Sequence, residues 1–192
     1  MRKVAVTGGL ASGKTTVCHL LKEQGAYVVD ADALVHSLLV LESTIGQQVV
    51  NLLGSGIIVN HQIDRKKISD VVFSNPEKLK KLEAILHPAV RREINRLFEA
   101  VKEGSYRFFV AEVPLLYEAG METDFDATIF VTCDELLARS RYPNPQEFDR
   151  RSRHLLPLSM KSSRATYTLS NSGDRAALQK QIENLIPKLE GE

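Results

Sequence analysis

Apolar residues along this chain occur in two arrangements, short uninterrupted runs and longer stretches with helical spacing. The runs cover residues 3–7, 27–29, 108–112 and 127–131, with a weaker one at 167–169. Short runs rich in β-branched and aromatic residues predict strands that are buried on both faces. Strands that alternate with helical stretches predict an α/β fold with a five-stranded parallel sheet and helices on both faces.

The stretches between these runs show the 3.6-residue period of amphipathic helices. A helix predicted over residues 14–24 carries Val17 and Leu21 on one face and ends at Gly25. A C-terminal helix predicted from about 174 to 189 carries one apolar stripe, which we interpret as core packing.

The long segment between the second and third strands is mostly helical. Asp64 is placed to cap one of its helices. A longer helix is predicted over residues 76–101, and Pro88 is expected to break or kink it.

We expect these elements to form a single domain over residues 1–192. Its predicted parts are a core at about 1–32 and 104–192, a helical substrate-binding insertion at about 33–103, and a small lid at about 139–156.

Composition narrows the class of protein. The net charge is +1, from 25 basic and 24 acidic residues, which gives no overall attraction to nucleic acid or membrane. Cys18 and Cys133 lie far apart without a Cys/His cluster, so a disulfide framework or structural zinc is not expected. The N-terminus lacks a signal-peptide pattern, and no run approaches the roughly 20 apolar residues of a membrane span. We therefore expect a cytoplasmic protein.

The strongest motif follows the first strand. Residues 8–15 read Gly-Gly-Leu-Ala-Ser-Gly-Lys-Thr and fit the phosphate-loop pattern G-x-x-x-x-G-K-[ST]. Glycines allow the loop amides to point inward, and the following helix adds its N-terminal dipole. Lys14 supplies charge for the β- and γ-phosphates, and the Thr15 hydroxyl takes one Mg²⁺ position. The expected ATP contacts in this loop are Gly8, Gly9, Ala11, Ser12, Gly13, Lys14, Thr15 and Thr16.

An ATP-binding loop has two alternatives. An accidental glycine-rich turn is disfavoured, because a strand precedes the motif and a helix follows it. A guanine-specific GTPase is disfavoured, because the chain lacks an N-K-x-D segment. ATP with Mg²⁺ is therefore the predicted ligand.

Carboxylates follow the second and third strands. Asp30 and Asp32 end the second strand, where a carboxylate can accept a proton from an attacking hydroxyl or order the water shell of Mg²⁺. We predict Asp32 as the base, and the alternative is that one of the pair only caps a helix starting at Ala33. Glu112 occupies a Walker-B-like strand end, with a surface carboxylate as the alternative. The predicted metal site is Thr15, with Asp32 or Glu112 acting through water.

Arginine is dense in the predicted lid. Its five arginines are Arg139, Arg141, Arg150, Arg151 and Arg153. Mobile arginines can stabilise the negative charge on a transferred phosphoryl group. A solvated helix face and a nucleic-acid patch are the alternatives, and no aromatic platform for single-stranded nucleic acid lies among these arginines.

Five further segments are distinctive. They are Val29-Asp30-Ala31-Asp32; Ile63-Asp64-Arg65 with Val72-Phe73; His87-Pro88 with Arg91; Val-Pro-Leu-Leu-Tyr-Glu-Ala-Gly at 113–120; and Asn171-Ser172-Gly173. With the phosphate loop, and in this order, they resemble the bacterial dephospho-CoA kinase family over nearly the whole chain.

The resemblance implies a P-loop fold and transfer from ATP to the 3′-hydroxyl of the ribose of dephospho-CoA, the last step of coenzyme A synthesis. It assigns Asp32 the role of general base and Asn171 a position near the adenine, with Arg139 and Arg141 on the ATP side. The residues it implies for acceptor binding are Asp30, Asp64, Arg65, His87, Arg91, Leu115 and Glu118. The implied partners are ATP and dephospho-CoA, bound by a monomer or weak homo-oligomer.

The sequence departs from the family pattern near the lid and on the adenine side. Glu112 stands where the family usually has Asp, and His154 stands where its lid helix has Gln. Thr166 replaces an Asp, and the lid is shortened around residues 143–145. Two other hypotheses follow: a different P-loop small-molecule kinase, or a nucleotide-binding module with weak or no catalysis.

Overall fold

The computed structural model describes residues 1–153 and 155–191. It divides into two compact units. The first contains residues 1–30 and 97–192, and the second contains residues 31–96. Within the described ranges, no helix is both long and apolar enough to cross a membrane.

The first unit carries the main sheet and the helices that follow its strands. Its strands are β1 (Arg2–Gly8), β2 (Tyr27–Asp30), β5 (Phe108–Glu112), β6 (Ala127–Thr132) and β7 (Tyr167–Ser170). Its helices are α1 (Lys14–Glu23), α6 (Glu135–Arg141), α7 (Pro145–Ser152), α8 (Leu158–Arg164) and α9 (Arg175–Glu190).

The sheet in this unit confirms the predicted architecture. In the described part of the chain it has five strands in the order β2-β5-β1-β6-β7, and every neighbouring pair is parallel. Strand β1 is the third of the five strands and therefore central. The chain first adds β2 and β5 on one side of β1 and then crosses to add β6 and β7 on the other side. A reversal of this kind opens a crevice at the carboxyl ends of the strands, where ligands bind in open α/β sheets.

The core forms where helices α1 and α9 cover one face of the sheet. Val17, Leu20 and Leu21 of α1 pack with Leu178 and Ile182 of α9 against inward-facing strand residues. This arrangement confirms that the apolar stripe of the last helix serves core packing. All five residues of β5 are buried, and the first four are apolar on both faces, while the fifth is Glu112.

Aromatic rings cover the opposite face of β5. Phe109 stacks on Tyr27 with ring centroids 5.8 Å apart, and Phe98 meets Phe109 edge-on at 5.4 Å. Phe98 lies near the end of helix α5 (Pro76–Val101), whose last turn belongs to the first unit. The sheet is therefore covered on both faces.

The second unit is helical, with one short hairpin. Its elements are α2 (Ala31–Leu38), α3 (Thr44–Leu53), the hairpin strands β3 (Ile58–Val59) and β4 (Gln62–Ile63), α4 (Arg65–Phe73) and most of α5. A separate apolar cluster, with Val49, Ile57 and Leu82 at its centre, holds these elements together. The Asp64 carboxylate accepts from the amides of Lys66 and Lys67 at 2.8 and 3.1 Å, so the predicted cap of α4 is confirmed.

The helix bounds decide two local questions about this unit. Helix α5 is continuous through Pro88 rather than broken there. Proline removes one hydrogen-bond donor, but the buried Leu82, Ala89, Val90 and Ile94 still pack along the helix on both sides of it. Helix α2 begins at Ala31 rather than Ala33, so Asp32 lies inside its first turn and does not cap it.

Candidate active site

Three elements bring polar groups to the central carboxyl edge of the sheet. Strand β1 ends at Gly8, where the phosphate loop begins. Asp30 at the end of β2 pairs in register with Glu112 at the end of β5, and Glu112 also pairs in register with Val6 of β1. The first-unit members of the predicted site therefore meet at one edge.

The phosphate loop depends on backbone angles that most residues avoid. Gly13 has φ +91° and precedes α1, and Ala11 has φ +52°. A Cβ on Gly8 would lie 2.3 Å from the Val131 carbonyl oxygen of β6. Side chains at Gly8 or Gly13 are thus excluded by contact or by conformation. The loop follows β1 closely and leads directly into the N-terminus of α1, where free amides favour an anion.

Asn171 holds the loop from the end of β7. Its side-chain amide donates to the Ser12 carbonyl at 2.8 Å. Its own carbonyl accepts from the Arg141 guanidinium at 3.2 Å, and its backbone amide donates to Thr132. Of the predicted ATP residues, Asn171 and Arg141 are therefore connected to the phosphate loop through hydrogen bonds.

Lys14 and Thr15 stand at the start of α1. The Lys14 ammonium donates to the Gly9 carbonyl at 3.0 Å, across the mouth of the loop. The Thr15 hydroxyl donates to Glu112 Oε1 at 3.0 Å. Cys18, one turn further along α1, is buried and hydrogen-bonds the same carboxylate. Glu112 is thus a buried carboxylate held by the phosphate-loop helix rather than a surface residue.

Burial controls the protonation of this group. It raises the pKa of Glu112, while the Thr15 hydrogen bond and the charge of Lys14 oppose the rise. Burial also raises the pKa of the Cys18 thiol, and the nearby charges of Glu112 and Asp30 raise it further. Cys18 therefore stays protonated and acts as a donor.

A cavity of about 260 Å³ adjoins the phosphate loop. Its walls include Gly9 and Ser12 of the loop, Cys133 after β6, and residues 155–158 before α8. The Ser12 hydroxyl is buried and has no hydrogen-bond partner among the described residues. An orphaned hydroxyl costs free energy unless a ligand or water satisfies it, so its position fits a phosphate-binding loop.

The arginine-rich segment forms two short helices, α6 and α7. Arg139 makes two hydrogen bonds to Asp149, at 3.0 and 2.9 Å, which join α6 to α7. Arg151 pairs with Glu147 within α7 at 2.8 Å. Arg139 is therefore engaged in holding the segment together. The predicted effect of His154 lies outside the described residues.

Leu115 and Glu118 follow β5. Leu115 is 40% exposed, which suits a wall residue. Glu118 Oε1 lies 2.5 Å from the Lys161 ammonium and accepts from the Leu156 amide at 3.1 Å, while its Oε2 is buried. Oε1 of Glu118 is thus engaged by protein groups, whereas its Oε2 has no hydrogen-bond partner among the described residues.

The remaining predicted residues belong to the helical unit. Asp32 is an exposed member of the first turn of α2. Arg65 is the first residue of α4, directly after its cap Asp64. His87 and Arg91 lie one turn apart on α5, where their charges interact. Burial lowers the pKa of His87, Glu83 opposes this, and Arg91 adds to it.

The donor set fits a magnesium ion bridged by phosphates. No group of three or more His, Cys, Asp or Glu side chains able to hold a metal occurs in the described part of the chain. Mg²⁺ at nucleotide sites usually takes only one or two protein ligands, with phosphate oxygens and waters completing its octahedron. A hydroxyl and a carboxylate 3.0 Å apart beside the loop suit that mode.

Sequence reasoning missed two contributors to this region. Cys18 belongs to no motif that predicts its contact with Glu112. Lys161 carried no signal, because it lies in a polar stretch, Leu-Ser-Met-Lys-Ser-Ser-Arg, that gives no indication of burial.

A phosphate loop that follows the central parallel strand and leads into a helix beginning with Lys14 and Thr15, beside a strand-end carboxylate, is typical of P-loop phosphotransferases. Comparison with known proteins identifies the branch. A sequence model described as Dephospho-CoA kinase matches residues 2–177, and the chain belongs to that family. The family resemblance drawn from the motifs is confirmed.

Curated relatives agree over almost the full length. A dephospho-CoA kinase of Protochlamydia amoebophila is 42% identical over 98% of this chain and 97% of its own. One from Chlamydia pneumoniae is 40% identical over 98% and 96%. Because both chains are covered nearly end to end, insertion and lid regions are included in the match.

Solved structures show the same fold. A protein from Thermus thermophilus superposes with a TM-score of 0.83 at 31% identity, covering 99% of this chain and 98% of its own. Dephospho-CoA kinase from Campylobacter jejuni superposes with a TM-score of 0.74 at 22% identity, covering 98% and 96%. A shikimate kinase from Acinetobacter baumannii gives 0.59 at 15% identity, covering 100% and 96%.

Gly13→Ala should lower ATP affinity by about 5- to 150-fold, since a non-glycine residue strained in this region costs about 1–3 kcal/mol. The new Cβ would also sit 2.0 Å from the Asn171 side-chain nitrogen. Calorimetric titration with ATP·Mg²⁺ measures the effect. Gly56→Ala is the matched control, because a Cβ there meets nothing within 4 Å. Equal affinities in the two variants would contradict this account of the loop.

His87→Gln should reduce the loss of stability between pH 7.5 and 5.5. The folded pKa of His87 is lowered, so the unfolded chain binds the proton first as pH falls. The stability conferred by neutral His87 is therefore complete above the unfolded pKa of about 6.5 and declines as pH falls toward the folded value. Urea unfolding of both proteins at both pH values measures the difference. An identical pH dependence would show that burial of His87 does not favour its neutral form.

Proposed function

We propose that this chain transfers the γ-phosphoryl group of ATP to the 3′-hydroxyl of the ribose of dephospho-CoA, giving coenzyme A and ADP. The observation that carries the proposal is the phosphate loop with Lys14, Thr15 and Glu112 at the central strand edge, in a chain of the dephospho-CoA kinase family.

On the ATP side, the amides of residues 8–16 surround the β- and γ-phosphates. Lys14 moves from the Gly9 carbonyl to the phosphates, where its charge offsets the negative charge that develops on the transferred group. Arg141 acts at the adenine end together with Asn171, and the hydrogen bond between the two residues supports this assignment. Arg139, held by Asp149, keeps the lid helices together and is positioned to swing toward the nucleotide.

On the acceptor side, Asp32 accepts the proton of the attacking hydroxyl. Its support is its place two residues beyond Asp30, the end of β2, on the exposed first turn of α2. Asp30, Asp64, Arg65, His87 and Arg91 supply polar contacts to the acceptor, with Leu115 as an apolar wall. Because the oxygens of Glu118 are engaged or buried, we assign it no direct acceptor contact.

Thr15 would hold Mg²⁺ directly, and Glu112 or Asp32 would hold it through water. When bound, the ion neutralises charge on the β- and γ-phosphate oxygens. The Glu112 side chain is one methylene longer than that of an aspartate. With this length its carboxylate accepts a hydrogen bond from the Thr15 hydroxyl, the proposed Mg²⁺ ligand.

We further infer that the partners are the two substrates alone. The near-neutral charge of +1 supports this inference over nucleic-acid or membrane binding. A cytoplasmic location and a monomer or weak homo-oligomer accord with a small-molecule kinase.

An acceptor panel tests the proposal. Purified protein with ATP·Mg²⁺ should convert dephospho-CoA to coenzyme A and release an equal amount of ADP. Phosphorylation of adenosine, AMP or shikimate instead would indicate another P-loop kinase. Tight ATP binding without transfer to any acceptor would indicate a nucleotide-binding module.

Asp32→Asn should lower kcat by about 10²–10⁴-fold, the usual scale for loss of a general base, with ATP affinity nearly unchanged. Steady-state kinetics and calorimetric ATP titration separate the two effects. Asp70→Asn, at another exposed aspartate of the helical unit, is the matched control and should retain kcat. Wild-type turnover in Asp32→Asn would remove its role as base.

Lys14→Ala should abolish transfer and also weaken ATP binding.

A further inference from the structure

Lys161 is an ammonium group with no exposed surface at all. It lies on α8, and its Nζ sits 2.5 Å from Glu118 Oε1. A buried charge is costly unless it is paired, and the Glu118 carboxylate, which is 19% exposed, supplies the pairing charge as an ion pair rather than through a hydrogen bond. The pair belongs to no motif of the phosphate loop.

The same carboxylate also binds backbone. Glu118 Oε1 accepts from the Leu156 amide at 3.1 Å. Leu156 belongs to the segment of residues 155–158 that runs from the lid helices to α8, which we call the lid exit. One carboxylate oxygen therefore fixes both the lid exit and the helix that follows it.

The lid exit lies against the phosphate loop. Residues 155–158 line the cavity that Gly9, Leu10 and Ser12 also line. Leu158 approaches so closely that a Cβ on Gly9 would lie 3.3 Å from its Cδ2. The lid exit is thus the apolar wall beside the loop residues that contact phosphate.

The segment that leads from β5 to Glu118 is anchored to the sheet. The segment after β5 is held by the Val113 amide, which donates to the Val6 carbonyl at 2.8 Å. The Thr7 hydroxyl donates to the Pro114 carbonyl at 3.3 Å. At the other end of α8, Arg164 pairs with Glu122 and lies 4.7 Å from the centre of the Tyr117 ring. The lid exit is therefore connected, through Glu118 and the segment after β5, to the strands that carry the site.

We propose that Glu118, neutralised by Lys161, is a positioning residue for phosphoryl transfer: it holds the lid exit as a wall against the phosphate loop and keeps water from that side. This inference rests on the proposed function for the transfer reaction, but its effect on water access needs only ATP. A displacement of the wall should lower kcat and increase ATP hydrolysis, while ATP binding by the loop amides is preserved.

Two double variants separate the effect of the hydrogen bond from Leu156 to Glu118 from the effect of the Glu118 and Lys161 charges. Glu118→Gln with Lys161→Met removes both charges and keeps an oxygen for the Leu156 amide. Glu118→Ala with Lys161→Met removes both charges and that oxygen. Neither leaves an unpaired buried charge, which would itself disrupt the fold.

The glutamine double variant should keep kcat within about threefold of wild type, whereas the alanine double variant should lose roughly tenfold in kcat, since small misplacements near a reacting centre cost this much or more. Its KM for ATP should change little. Its hydrolysis of ATP without acceptor, measured as phosphate release, should rise relative to the glutamine variant.

Ile182→Ala, in the core of α9, is the stability control. It should lower the urea midpoint yet keep kcat and the low hydrolysis rate at a temperature where it is fully folded. Should the alanine variant not fold, Glu118→Leu with Lys161→Met fills the same space and tests the same loss.

Equal kcat and equal hydrolysis in the glutamine and alanine variants would overturn the proposal, as would a matching kcat loss in Ile182→Ala. Absence of coenzyme A formation by the wild-type protein is a separate result. It would reject the proposed function, while the acceptor-free hydrolysis comparison would still decide the role of Glu118.

Discussion

The close packing of the phosphate loop against β6 and Asn171 is the constraint on which the rest of this structure depends. There is no room for a Cβ at Gly8 beneath the Val131 carbonyl, or at Gly13 beside the Asn171 amide. The left-handed backbone at Ala11 and Gly13 then turns the chain into α1 within a few residues. A loop of this shape concentrates amides, a lysine and a helix N-terminus on one anion. The surrounding residues keep the loop in place: Asn171 from β7, Arg141 behind it, and Leu158 in front.

The two carboxylates proposed to act in phosphoryl transfer differ in burial. Glu112 is enclosed and hydrogen-bonded to Thr15, so a protein contact fixes its orientation. Asp32 belongs to the helical unit and stands on an exposed helical turn. In the proposed mechanism they have separate tasks, Glu112 in organising the water shell of the metal and Asp32 in accepting a proton.

Much of this fold could be predicted from the sequence because the phosphate loop and the buried strands are local signals. Five apolar runs gave the five parallel strands, and the Asp64 cap was visible in the residues around it. Pro88 does not break α5, because the buried face of the helix on both sides of it outweighs the local preference. Glu118 and Lys161 show a different limit. They are 43 positions apart, and only tertiary packing decides that such a lysine is buried and such a glutamate is used internally. The contact between Cys18 and Glu112 was hidden for the same reason.

The protonated thiol of Cys18 gives the site a chemical inertness that its position would not suggest. Oxidants and alkylating reagents attack thiolates, and here burial and two neighbouring carboxylates suppress that form. A sulfur atom one turn from Lys14 of the phosphate loop is thereby kept in its less reactive thiol form. An enzyme whose product itself carries a free thiol can accumulate that product and its disulfide without exposing a reactive partner in the helix that follows its phosphate loop.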